Sequence, residues 1–416
     1  MKTYAYLLAM SMAVSAAMTS CSEDEVVTAD AGRPIEFHID LTSRTDHYTT
    51  DNLEKITVIA IPEGSYQPEF IDVFIKDSES STFKSTTPHY WGKSYEFFVL
   101  GGEFSETQAP FFMPKIEASW GMEYGDEYYL NILDSSVSEC QPVFDYNEGT
   151  NGPKLYWVLA SNAPDQRDLI LATAKGSESD MDAGVALQFE HLLSKITFKA
   201  FEENADATVK LNTTILNNIK TSGVYDINTK KWIVTSDHGG YLNTQACDAK
   251  GSTAQTLTTE ATEYLMDHFM VIPQNATAWD AENDHENTGK GTYLSYKLNV
   301  TVGGKQMIPY QTTEGKTRDT GYSPIGRTWE AGKQYVYTLD FTDGFGNTSP
   351  DDPKPAKPLL SPVQFTCSVV DWNQSAEPTI NAGEYKKQTI QTHVMFQILN
   401  NLGTYITLLI SEMPGQ

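Results

Sequence analysis

Histidines, cysteines and carboxylates are the side chains through which a chain does acid–base, nucleophilic or metal chemistry. Here they are present but not arranged for it. The eight histidines (38, 47, 89, 191, 238, 268, 285 and 393) are dispersed. There is no His-Glu-x-x-His pair, no Gly-x-Ser-x-Gly elbow, no phosphate loop and no dinucleotide fingerprint. The run Glu282-Asn283-Asp284-His285-Glu286-Asn287 could touch a cation, but it lacks the Asp ladder and central Gly of a calcium loop. It is read as a solvated hairpin. With 55 Asp and Glu in the chain, no carboxylate pair can be singled out as a glycosidase acid and nucleophile. Cys140, Cys247 and Cys367 are odd in number and widely spaced, which fits neither a disulfide framework nor a zinc site. Buried thiols are the expectation. The chain is therefore expected to be no enzyme, with no catalytic residue, no cofactor and no metal.

One cysteine stands apart. Met1-Lys2-Thr3 is weakly basic, an apolar stretch runs from Tyr4 to Met18, and Met18-Thr19-Ser20 precedes Cys21. The apolar stretch is too short to span a bilayer and fits a secretory signal. Small residues before a single Cys are similar to a bacterial lipobox, in which the thiol is acylated and the preceding peptide removed. Residues 1–20 are thus expected to be a signal peptide and Cys21 the lipidated residue. Ordinary signal cleavage with an incidental Cys is the alternative. Ser22-Glu23-Asp24-Glu25 resembles the surface-export signal of Bacteroidetes lipoproteins, or else is a solvated tether, here residues 21–32.

The elements that follow read as strands. Ile35–Ile39, Lys55–Ala60, Tyr95–Val99 and Tyr335–Leu339 are short, rich in β-branched and aromatic residues, and bounded by Gly, Asn, Asp, Ser and Pro. No long stretch keeps a capped helical period. Many short strands with turn signals between them predict an all-β fold built of sandwiches. The length predicts two domains. A polar stretch, Lys175 to Gly184, is read as a flexible boundary, giving 33–176, a linker at 177–184, 185–375 and a tail at 376–416. Gly346 to Pro362 holds five prolines and cannot be a central strand. The net charge of −26 leaves no basic patch for nucleic acid and reads as a solvated acidic surface.

Several segments, in order, resemble the fimbrillin family of Bacteroidetes, the type V pilins. They are Leu187–Phe198 with its Phe189-x-His191-x-x-Ser194-Lys195 core, Thr221–Asp226 with Trp232, Met270–Gln274, Trp329–Tyr337 and Val369–Trp372. Thr42–Thr45, Asn52-Leu53 and Tyr90-Trp91 sit where the family places similar residues. The resemblance implies two tandem β-sandwich domains of transthyretin-like, immunoglobulin-related topology behind the lipoprotein signal peptide. It implies a subunit of surface fimbriae, or a tip or anchor lipoprotein that binds a glycan or host ligand without polymerising. Its partners would be other fimbrial subunits, the outer membrane through the lipid, and host or bacterial surface ligands. Trp329, Tyr335 and Tyr337 are read as core and rim aromatics rather than a sugar platform, His191 as structural, and Gly332 as a turn residue.

Two regions could carry mechanism through backbone pairing. Ile35, Phe37, Ile39 and Leu41 alternate with polar residues, which predicts a strand with one buried face, and Arg44 follows in a polar stretch. Arg is rare, with five in the chain. The resemblance implies Arg-specific cleavage there, loss of this first strand, and an emptied groove. At the other end Ile390, Val394, Phe396 and Ile398 form an apolar strand face, followed by a turn at Asn400–Gly403 and a second apolar run. Such a tail must be buried somewhere. It either closes on its own chain or fills a neighbour's groove by strand addition.

Overall fold

The strand Lys55–Pro62 shows how the molecule is built. In a computed structural model of the chain, which describes residues 32–39, 53–101, 111–112, 139–146, 152–160, 163–234, 255–263, 269–281, 291–307, 310–311, 317–347, 363–372, 395–399 and 405–409, this strand is buried on both faces. Successive side chains of a strand point to opposite sides. Ile56, Val58 and Ala60 enter one hydrophobic core, while Ile59 and Ile61 enter another. Its neighbour Tyr95–Gly101 divides the same way, with Tyr95, Phe97 and Val99 on one side and Phe98 and Leu100 on the other. Ile170 and Ala172 oppose Leu169 and Leu171 likewise. One sheet is therefore the common wall of two cores.

That sheet has eight strands, in the order Val185–Leu187, Phe37–Ile39, Phe83–Ser85, Phe70–Lys76, Lys55–Pro62, Tyr95–Gly101, Ile170–Gly176 and Glu190–His191. The two end strands are separated in sequence by only Gln188 and Phe189. The sheet must therefore curl until its ends nearly meet. Inside the curl lie Phe37, Phe74, Phe83, Phe97 and Phe189. Phe37 meets Phe74 and Phe97 edge to face, with ring centroids 5.1 and 5.0 Å apart.

The stretch read from sequence as a flexible linker is a built turn. Ser177 caps the short 3-10 helix Glu178–Asp180 by accepting from the Ser179 amide, and its own amide donates to Asp180 Oδ2 at 2.8 Å. The Gly184 amide donates to the Asp180 carbonyl at 2.8 Å, and Gly184 takes a φ of +74°. This reversal delivers Val185 to the Phe37 strand. Polar, Gly-containing sequence fits a capped turn as well as a loose tether.

The second core is closed by other sheets. Ser194–Phe201 runs parallel to Lys333–Asp340, which pairs antiparallel with Gln364–Asp371. Ala207–Asn217 pairs with Tyr293–Val302 across a register shift between Leu211 and Thr214. A further sheet joins Lys231–Val234, Ser222–Asp226, Lys154–Val158, Val143–Asp145 and Phe111–Phe112. Three strands of the expected 33–176 span, Phe111–Phe112, Val143–Asp145 and Lys154–Val158, thus lie outside the eight-stranded sheet, and Lys154–Val158 ties them to later chain through Ser222–Asp226. Among the described residues the only helical pieces are the single turns Ala163–Asp165 and Glu178–Asp180. The fold is all-β.

Two buried tyrosines and a half-buried one give this packing a pH signature. Tyr95, Tyr146 and Tyr225 are each pushed from 10.0 to about 12, by burial first and then by Glu69, Glu96 and Glu190 respectively. The unfolded chain releases these protons at lower pH than the folded one. Stability is therefore fully present below about pH 10 and falls as pH rises from about 10 to 12. Urea midpoints measured across that window should drop steadily. A flat midpoint would mean that these hydroxyls are solvated.

Candidate functional site

The first strand, Phe37–Ile39, is the candidate assembly element, and its seat can be built from its residues. Ile35 and Phe37 are buried and Ile39 is half-buried, so the alternation in sequence places one apolar face inward. The ladder around it is thin. Three register pairs join it in parallel to Val185–Leu187, and a single pair, Phe37 with Phe83, joins it to Phe83–Ser85. Before it, the Ile35 amide donates to the His89 carbonyl at 2.7 Å. Arg33 and Asp182 form an ion pair at 2.7 Å, but both side chains are largely exposed, so it adds little. The strand is held mainly by what its side chains bury.

The strand does not lie at a sheet edge. A run near the chain start reads as an edge, yet Val185–Leu187 returns to cover its outer side. Removing Phe37–Ile39 would leave an apolar slot between two strands. It would also take away the one sheet partner that Val185–Leu187 has among the described strands.

Leu41, Arg44 and Cys21 lie outside the described residues, as do Ile390 and Val394. Phe396 and Ile398 fall in the strand Met395–Leu399, which pairs antiparallel with Tyr405–Leu409, Phe396 opposite Leu408 and Ile398 opposite Ile406. Among the described strands these two form a sheet of their own. The structure does not bring this hairpin's backbone into the sheet that holds the first strand.

The remaining singled-out residues are structural. Trp329, Tyr335 and Tyr337 are buried, with Trp329 Nε1 donating to Tyr337 Oη at 3.1 Å and the Glu330 amide donating to Tyr335 Oη at 2.8 Å. Burial removes any stacking face for a sugar. Gly332 has a φ of +69°, and its amide donates to the Leu193 carbonyl at 2.9 Å. Cys140 and Cys367 are free and buried, and burial raises both thiols above the ordinary range. Cys247 and the Glu282–Asn287 run lie outside the described residues.

His191 stands at a junction that the sequence did not reveal. Its Nδ1 is hydrogen-bonded to Asp168 Oδ2, with both side chains almost wholly inaccessible. Its ring stacks on Trp372 at 4.1 Å, nearly parallel. Lys195 Nζ lies 5.9 Å from the centroid of the Trp372 ring. His191 and Asp168 belong to the eight-stranded sheet and the loop entering it, whereas Trp372 follows the last strand of the second core. Asp168 carried no signal in sequence, since a lone Asp before a strand looks like any surface residue.

A family profile described as Fimbrillin-like matches residues 145–372. Those bounds run from Asp145 to the stacked Trp372 and enclose most of the second core. No curated relative matches the chain. Among solved structures, a candidate cell adhesion protein of Bacteroides uniformis is 14% identical, over 82% of this chain and 100% of that one, with a TM-score of 0.40. One of Parabacteroides distasonis is 11% identical, over 84% and 99%, with a TM-score of 0.39. A candidate adhesin of Bacteroides thetaiotaomicron is 8% identical, over 76% and 93%, with a TM-score of 0.31.

Proposed function

The chain belongs to the fimbrillin-like family, and on that premise we propose that it is a structural subunit of cell-surface fimbriae, exported as a lipoprotein and assembled by strand exchange. The observation that carries this reading is the seat of Phe37–Ile39, a strand with a thin ladder whose Phe37, together with Ile35 just before it, is fully buried. Such a strand can be exchanged for another of like shape at little cost in hydrogen bonds, while an empty seat is costly in exposed apolar surface. Cleavage after Arg44 would free it, and the tail strand carrying Ile390, Val394, Phe396 and Ile398 from a neighbouring subunit would refill it.

In this reading residues 1–20 are removed, Cys21 holds the lipid, residues 21–32 tether the chain to the outer membrane, and the chain itself catalyses nothing. In it the two cores are the tandem sandwiches, 33–176 and 185–375, with Phe111–Phe112, Val143–Asp145 and Lys154–Val158 lent by the first to the second and Val185–Leu187 and Glu190–His191 lent in return. The partners are further fimbrial subunits. A second reading, a tip or anchor protein that binds a surface ligand without polymerising, is favoured by the tail strands pairing with each other.

Mass analysis of the N-terminus tests the first reading. Membrane-bound precursor should begin at an acylated Cys21, and subunits recovered from fibres should begin at Thr45. Fibre subunits that still begin at Cys21 would overturn the processing step and leave the tip or anchor reading.

A further inference from the structure

One rim of the eight-stranded sheet carries a cleft outside the machinery proposed above for strand exchange. It lies where Lys55–Pro62 ends, Tyr95–Gly101 begins and Ile170–Gly176 ends, and its volume is about 430 Å³. Its polar lining includes Glu63, Glu96, Asp180, Lys175 and Tyr146. The Tyr146 hydroxyl donates to Glu96 Oε2 at 3.2 Å. Asp180 Oδ2 is engaged by the Ser177 amide, which fixes that carboxylate in place. The side chains of Glu63 and Lys175 have no partner among the described residues. Tyr66, 45% exposed, packs its ring against Tyr146 at 5.9 Å and a 44° tilt, so an aromatic surface stands at the lip of the cleft.

We propose that this cleft binds a neutral saccharide, with a pyranose face on Tyr66 and Tyr146 and ring hydroxyls held by Glu63, Glu96, Asp180 and Lys175. Three features lead there. A large exposed tyrosine ring gains by stacking on a flat C–H surface while its edge stays wet. Fixed carboxylates accept from adjacent hydroxyls, and the ammonium donates to a third, which is the mixed pattern a polyol needs. Three carboxylates against one lysine, on a chain of net charge −26, repel anionic ligands, so sulfated, phosphorylated and sialylated sugars are excluded. The lining is too polar for a lipid tail, and the volume suits one or two sugar rings. Burial and Glu96 hold the Tyr146 hydroxyl protonated, at about 12, so it stays a donor to Glu96 at neutral pH. Tyr66 sits outside the second core, and the site stands whether or not the chain polymerises.

The test is titration calorimetry of the purified full-length chain with lactose, cellobiose and chitobiose, with sialyllactose and a Lys-rich peptide as comparators. At least one neutral disaccharide should bind and sialyllactose should not. Tyr66→Ala should weaken that binding by roughly three- to tenfold, and Glu96→Gln should weaken it as well. Phe365→Ala removes an equally exposed aromatic ring from the second core's edge strand and should change nothing. Thermal denaturation of each variant establishes that it is folded. Absence of binding by every neutral sugar, binding that survives Tyr66→Ala in a folded protein, or binding of the Lys-rich peptide alone would each overturn the proposal.

Discussion

Asp168→Ala should destabilise the folded chain by about 1–3 kcal/mol, the cost of leaving one member of a buried hydrogen-bonded pair without its partner. Asp168 and His191 are shut away from water, and the imidazole is pinned between the carboxylate and the Trp372 ring. Taking away the carboxylate strands the Nδ1 group where no water can replace its bond. The stack on Trp372 then loses what orients it. Asp168→Asn keeps an acceptor at the same place and should cost much less. Denaturant unfolding of wild type and both variants reads the difference. A loss below about 1 kcal/mol for the alanine variant would mean that solvent reaches this junction.

Deleting residues 385–416 should abolish fibres and leave a folded monomer. On the strand-exchange reading, the donor face of Ile390, Val394, Phe396 and Ile398 replaces Ile35, Phe37, Ile39 and Leu41. Each fully buried apolar side chain contributes roughly 1.5–3 kcal/mol. Four exchanged for four is close to neutral, so proteolysis must supply direction by making the loss of the first strand irreversible. The deletion spares both cores, because the described tail strands pair only with each other in the sheet assignment. Phe396→Asp should act like the deletion, since a carboxylate would have to enter an apolar slot. Arg44→Ala should block assembly by keeping the slot filled. Electron microscopy of cells bearing each variant gives the answer. Wild-type fibres from the deletion would transfer the function to the tip or anchor reading.

Local chemistry was legible in the residues, and long-range pairing was not. The inward alternation of Ile35 and Phe37 follows from the two-residue period of a strand, and the structure buries both. Gly332 was expected at a turn and takes a left-handed conformation. The run Ile56–Ile61, apolar apart from Thr57, reads as a strand. It could not say that the faces belong to different cores, because that depends on what packs from elsewhere. The strand Val185–Leu187 is three residues of ordinary apolar alternation, and nothing in it names Phe37 as its neighbour. Asp168 and the cleft acids were invisible for a related reason. A carboxylate's role depends on its surroundings, and in so acidic a chain the surroundings come only from the fold.

The nearly closed sheet also sets an order of events in time. Hairpin partners such as Lys55–Pro62 and Phe70–Lys76 meet across a short loop. Phe37 meets Val185 only after a loop on the order of 150 residues has closed, and contacts of such separation form late in folding. The first strand is thus the last piece to be fastened, and few backbone bonds secure it once there. Elements fastened late and thinly tend to open by local excursions that leave the rest of a protein intact. The clasp can therefore lift on a timescale of its own while the second core stays folded. On the strand-exchange reading, a protease or an incoming strand would meet it already open for a small fraction of the time, and the rate of that lifting would cap how fast one chain is joined to the next.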